Sequence, residues 1–168
     1  MKKLMRAAAA TAVLMFSMAG AMAATTINLT PGPNGNYTGG WNVTHSGAFT
    51  DTYNFLPELG WSAVSSVLST IGFKASEDIN FTSVKLNGIS LTLASDGAVD
   101  YAYTASPLQL SGPLTLVVVG TSGENASYSG TLNVAVVPEP DTIALMLAGM
   151  GVVGVIARRR QKKEPTPA

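Results

Sequence analysis

The chain has 168 residues, ten Lys and Arg against ten Asp and Glu, and no cysteine. Without cysteine it has no disulfides, no thiol nucleophile and no thiolate metal site, so a folded domain must hold together by packing alone. The zero formal charge hides an asymmetry: Arg158, Arg159, Arg160, Lys162 and Lys163 are half of all the cations and sit together near the end.

At the start, Lys2, Lys3 and Arg6 precede an apolar run over 7–19, and Ala21-Met22-Ala23 supplies small residues at the spacing of a cleavage site. This is the pattern of a secretory signal peptide over 1–23, cut by signal peptidase after Ala23. An uncleaved first membrane helix is the competing reading, and the short apolar run disfavours it. The stretch to explain is then 24–137, enough for one core of ordinary size and too little for two. Lys74 and Lys85 face seven acids there (Asp51, Glu58, Glu77, Asp78, Asp96, Asp100 and Glu124), a formal charge of 2 − 7 = −5. Nucleic acid and anionic lipid need clustered cations, so neither is a partner of this domain.

Residues 28–40 are rich in Pro, Gly and Asn and read as an irregular lead-in, with edge-strand contact around 25–29. Strands are expected at 41–44 and 49–55. In the second, Phe49, Asp51, Tyr53 and Phe55 share one face, and Thr50, Thr52 and Asn54 the other. Residues 61–71 are ambiguous. Val64, Val67, Leu68 and Ile71 fit a helical face, but Ser65, Ser66, Ser69 and Thr70 lower helix propensity, leaving a short helix and a strand equally open. The clearest signal is Asn87-Gly88 between the alternating runs 81–86 and 89–93, which predicts a two-residue hairpin. Leu86 then faces Ile89, and Val84 faces Leu91. Further strands are expected at 114–119 and 128–136, separated by the glycine-containing stretch 120–123. The sum is an all-β domain, a single antiparallel β-sandwich of jelly-roll-like type. No internal repeat is apparent.

Catalytic chemistry has few candidates. His45, the sole histidine, reads as a solvated loop residue, Glu77-Asp78 as a solvated turn, and Asp96 and Asp100 flank a loop glycine. No nucleophile elbow, zinc-protease motif or phosphate-cradling loop occurs. With no catalytic residue and no cofactor in view, the domain is expected to be no enzyme. Asp51 shares its face with aromatics, so its carboxylate needs partners. Either it accepts backbone or hydroxyl hydrogen bonds at a loop or sheet edge, or it is a calcium ligand with Asp78, Asp96 or Asp100. Tyr101 and Tyr103, two apart on one strand face, have the spacing of a platform for stacking sugar rings.

Past the domain, Pro138-Glu139-Pro140 is followed by an uncharged apolar run over 142–157 and then by the basic cluster 158–163. The prolines argue for an extended, accessible segment. Sixteen helical residues span about 24 Å, short of a hydrocarbon core of about 30 Å, but Arg158, Arg159 and Arg160 can snorkel to the interface. The cations should stay cytoplasmic, placing the domain on the periplasmic side of the inner membrane. Physical chemistry alone leaves a permanent single-span anchor and a cleavable sorting tail equally open. Residues 164–168 read as a disordered tail.

The order of Pro-Glu-Pro, apolar span and arginine cluster resembles the PEP-CTERM sorting signal of Gram-negative bacteria, here over 138–163. That resemblance implies recognition by a membrane-embedded exosortase, cleavage near Pro138 to Pro140, and release to the cell surface or an exopolysaccharide matrix. Phe49-Thr-Asp51-Thr-Tyr53 is similar to the motif of the FxDxF family of PEP-CTERM proteins, with Tyr53 in place of the usual Phe. The resemblance brings no assigned activity. The expectation is an exported, non-enzymatic surface or matrix protein associated with exopolysaccharide. A carbohydrate-binding module is the runner-up, and a hydrolase a distant third.

Overall fold

The structure, a computed structural model, describes residues 23–161 apart from 71, 73, 97, 98 and 139. Most of the signal-peptide reading including Ala21, together with Glu139, Lys162, Lys163 and the tail 164–168, lies outside the described residues. The alternating runs form eight strands: β1 (Thr25–Asn28), β2 (Thr30–Pro31), β3 (Asn36–Thr70), β4 (Ile79–Leu86), β5 (Ile89–Ser90), β6 (Thr92–Asp96), β7 (Val99–Tyr103) and β8 (Leu108–Val136). All belong to one hydrogen-bonded sheet in the order β5-β4-β8-β3-β7-β6, with β1 and β2 added on β3. Only β1 on β3 is parallel; every other pairing is antiparallel. A mainly antiparallel β domain is what the sequence predicts, and its strands are joined as one bent sheet.

Two long strands organise it. Residues 36–45 of β3 pair with 126–135 of β8, and 47–55 pair with 114–122. The register slips between His45 and Gly47, where the ribbon turns from one half of the sheet to the other. A second irregularity, between Phe55 and Ser62, lets β3 return so that 62–70 pair with 128–136 on the other side of β8. β8 is therefore flanked on both edges by β3 at Val134, which lies between Tyr37 and Val64. One half of the sheet is extended by β7 and β6, and the other by β4 and β5. Aromatic contacts across the bend, such as Trp41 on Tyr53 at 5.0 Å between ring centres, join the halves around a shared core.

Several local expectations change. Segments 41–44, 49–55 and 61–71 are parts of one strand, and 114–119 and 128–136 are parts of another. The stretch 120–123 is strand rather than loop, because Gly120 lies against the Phe49 ring and a side chain there would collide with it. Residues 61–70 are strand: Ser62, Val64, Ser66, Leu68 and Thr70 are buried in strict alternation, so of the residues that weaken a helix Ser66 and Thr70 face inward and Ser65 and Ser69 face the other way. The lead-in is shorter than 28–40, since strand begins at Asn36 after a 3₁₀ turn at Pro33–Gly35. The hairpin is as expected. Asn87 and Gly88 have φ of 47° and 80°, and Leu86 pairs with Ile89.

After the domain, α1 (Pro140–Gln161) is a 22-residue helix, exposed along its described side chains. Its 141–160 portion is long and apolar enough to cross a membrane by length and composition. The helix extends beyond the expected 142–157 and spans about 33 Å. Pro140 was expected to keep its surroundings extended, yet it is the first helical residue. That position tolerates proline because its missing N–H would have had no partner in the first turn. The basic residues Arg158, Arg159 and Arg160 fall in the last turn, where they also complement the helix dipole.

Candidate functional site

The period of two along 49–55 aims Phe49, Asp51, Tyr53 and Phe55 into the core, and all four are buried. Asp51 is thereby carried inward among aromatics, 6% exposed, on a stretch of β3 that pairs with β8 alone among the described residues. Its Oδ2 accepts from His45 Nε2 at 2.7 Å and from the Tyr128 hydroxyl at 2.5 Å. The Tyr53 hydroxyl stands 3.4 Å from the same oxygen and 2.8 Å from the Tyr128 hydroxyl. Facing a carboxylate, His45 Nε2 carries its proton and donates. The expected hydroxyl partners are present, on the buried face of a strand segment that pairs with β8 on one side only among the described residues.

His45 is the residue that sequence reasoning misplaced. It is buried on β3, its ring stacked at 4.0 Å on Phe49 and at 5.9 Å from Tyr128. The signal available was the six-residue spacing to Asp51, which becomes a contact only because of the register slip at 45–47. Phe81 closes the cluster edge-on against Tyr128 at 5.5 Å. Burial pushes the Tyr53 hydroxyl up to about 12, with the Asp51 charge adding to the shift. The Tyr128 hydroxyl is raised further still, by burial first and then by its bond to the Asp51 carboxylate.

This arrangement is a closed polar network. The lone pairs that a calcium ion would need at Asp51 Oδ2 are directed at N–H and O–H donors. Among the described residues no three His, Cys, Asp or Glu side chains stand together as a metal set. Asp78 precedes β4 and Asp100 lies on β7, so the possible companions are dispersed; the Asp96 side chain lies outside the described residues.

Tyr101 and Tyr103 project from the same side of β7 and are each 38% exposed. Cross-strand partners share a face, so Tyr103 stands beside Val67 and Tyr101 beside Ser69. The rows continue through Thr131 and Ser129 of β8 to Gly40 and Asn42 of β3. Every residue in these rows is uncharged. Asn42 Nδ2 donates to Ser129 Oγ at 3.0 Å, and the Thr44 and Ser127 hydroxyls pair at 2.7 Å. The result is a sheet face carrying two tyrosines and a field of hydroxyl and amide groups.

Pro138 is exposed and lies just outside β8, with Val137 N–H donating to the Trp61 carbonyl at 2.8 Å. The domain thus ends in a tethered strand terminus, and Pro138 follows it shortly before α1 begins at Pro140. Residues 136–161 match the PEP-CTERM protein-sorting motif. The matched segment covers the prolines, the apolar helix and the arginine cluster. No curated protein and no solved structure shows a significant match to the chain.

Proposed function

We propose that the chain is an exported, non-enzymatic surface or matrix protein associated with exopolysaccharide, held transiently by its C-terminal helix and processed by an exosortase. The observation that carries the reading is the coincidence of the PEP-CTERM sorting motif with the one exposed apolar helix among the described residues. That motif indicates an exported protein targeted to an exosortase, fitting a transient anchor. The periplasmic placement of the domain follows from the arginines remaining on the cytoplasmic side. The motif is a substrate site for another enzyme.

A non-enzymatic domain is supported by what surrounds the only histidine. His45 is stacked on Phe49 and its Nε2 is committed to the Asp51 carboxylate, so that nitrogen is not free for a substrate. The FxDxF resemblance is supported in physical terms by Asp51, which holds together the aromatic core its motif builds.

Association with polysaccharide is supported by the uncharged face around Tyr101 and Tyr103. An acidic domain would be repelled by an anionic polymer, and neutral sugars avoid that cost while their C–H faces stack on tyrosine. The full chain, held in a detergent without a sugar headgroup, should be retarded in native gels containing neutral exopolysaccharide. Tyr103→Ala should restore most of the free mobility. Unchanged wild-type mobility across a panel of such polymers would remove the matrix reading.

A further inference from the structure

The two halves of the sheet leave a small cleft where the β6–β7 edge meets the start of β4. Its volume is about 220 Å³, and its walls include Asn80, Phe81, Leu93, Ser95, Asp100 and Tyr101. Asp100 is 4% exposed, yet among the described residues its Oδ2 has no hydrogen-bond partner. A carboxylate oxygen buried without a donor is costly, and such groups in native folds call for a reason. Thr70 follows Ser69, the partner of Tyr101, and so lies next to Asp100 in the strand pairing. Its buried hydroxyl is also without a partner. Two polar atoms without a partner among the described residues therefore stand at neighbouring positions, and Asp100 is one of the residues that line the cleft.

We propose that this cleft binds the ring of one neutral sugar, with Asp100 accepting hydrogen bonds from two neighbouring hydroxyls. The walls fit the two kinds of surface a pyranose presents. Phe81 offers aromatic surface to the C–H face of the ring, and Leu93 adds apolar contact. Asn80 offers an amide on the polar side; its Nδ2 already donates to Asp78 Oδ2 at 3.1 Å, which fixes the amide's orientation. Vicinal hydroxyls supply the O–H donors that Asp100 lacks, and charge-assisted bonds of this kind are among the stronger ones.

Other ligand classes fit less well. Among the described residues no Lys or Arg lines the cleft, so an anion such as phosphate or a uronate would find no cation there. Calcium requires six to eight oxygen ligands, and among the described residues Asp100 is the only carboxylate in the wall. The volume suits one ring and excludes a chain lying lengthwise. The inference deepens the matrix reading by naming what the domain recognises. It uses neither the sorting tail nor the flat face, apart from Tyr101, which borders both.

The test is a titration of the full chain, in a detergent without a sugar headgroup, with glucose, galactose, mannose and N-acetylglucosamine, read by chemical-shift changes. One of the four should bind, saturably and at millimolar concentrations. Asp100→Asn should weaken that binding at least tenfold with the thermal melt preserved, and Asn80→Ala should weaken it severalfold. Tyr103→Ala, outside the cleft, should leave it unchanged while abolishing retardation in polysaccharide gels. The cleft and the flat face can thus fail separately. Absence of binding by all four sugars to the folded protein would overturn the proposal. So would a calcium-dependent rise in melting temperature that Asp100→Asn removes, since the cleft would then be a cation site.

Discussion

Replacing Asp51 by alanine is expected to destabilise the full chain's β domain by about 3 kcal/mol, a fall in melting temperature of about 12 °C for a domain of this size. The carboxylate is the common acceptor for His45 and Tyr128, with Tyr53 at longer range. Its removal strands buried donors that have no water to turn to, and each costs roughly 1–3 kcal/mol. Asp51→Asn keeps the shape and one acceptor but brings its own donors toward three others, so about 2 kcal/mol is expected. Tyr128→Phe removes one donor and should cost about 1 kcal/mol. The same network makes the folded domain sensitive to alkali. Tyr53 is raised from 10.0 to about 12, so folding favours its neutral form. The stability this gives is complete below pH 10 and is lost as pH climbs toward 12. Urea unfolding of the variants at neutral pH decides the matter. Asp51→Ala within about 0.5 kcal/mol of wild type, the ordinary scatter of surface substitutions, would mean that the cluster is incidental.

The second large effect is expected at a glycine. Gly130 on β8 faces the Trp41 indole, and a Cβ there would sit 2.1 Å from the ring's Cζ2 atom. No rotamer of alanine relieves this, so the ring must move. Trp41 in turn packs on Tyr53 and Phe55, at 5.0 and 5.5 Å between ring centres, which carries the displacement into the core. Overpacking of this kind costs about 3 kcal/mol. Gly130→Ala should therefore lower the urea midpoint about as much as Asp51→Ala does. Its penalty should shrink by at least about 1 kcal/mol in a Trp41→Leu background, because the two positions are in contact. Equal penalties in both backgrounds would show that the indole is not the obstacle.

Both effects bear on what could be read before the fold was known. The alternation Phe49, Asp51, Tyr53, Phe55 correctly aimed four side chains inward, since period two depends only on local geometry. Asn87-Gly88 fixed its hairpin for the same reason: the turn needs positive φ at both residues, and the sequence says so. What escaped were features made by contacts distant in sequence. Gly120 looks like a loop residue in isolation, yet it is a strand residue emptied to admit the Phe49 ring, and nothing local shows that Gly130, within an expected strand, is emptied for Trp41. Continuity of β8 over 29 residues was hidden by the glycines of 120–123. His45 was taken for a loop residue because nothing local shows that the bend at 45–47 turns it toward Asp51. The helix start at Pro140 could have been anticipated from proline's tolerance at the first helical position.

The polar candidates divide along the same line. Tyr101 and Tyr103 were placed on one exposed face by spacing alone. Asp100, expected to flank a loop glycine, is buried in β7 beside Thr70, and only the strand pairing brings the two together.

The central claim, export followed by exosortase processing, is tested most directly by the mass of the protein recovered from the envelope and the medium of an exosortase-carrying host. The account predicts a released species that starts at Ala24 and ends near Pro138 to Pro140, free of the apolar helix and its arginines. A species that still carries Arg158 to Ala168 in every fraction would contradict it, and would make the helix a permanent single-span anchor.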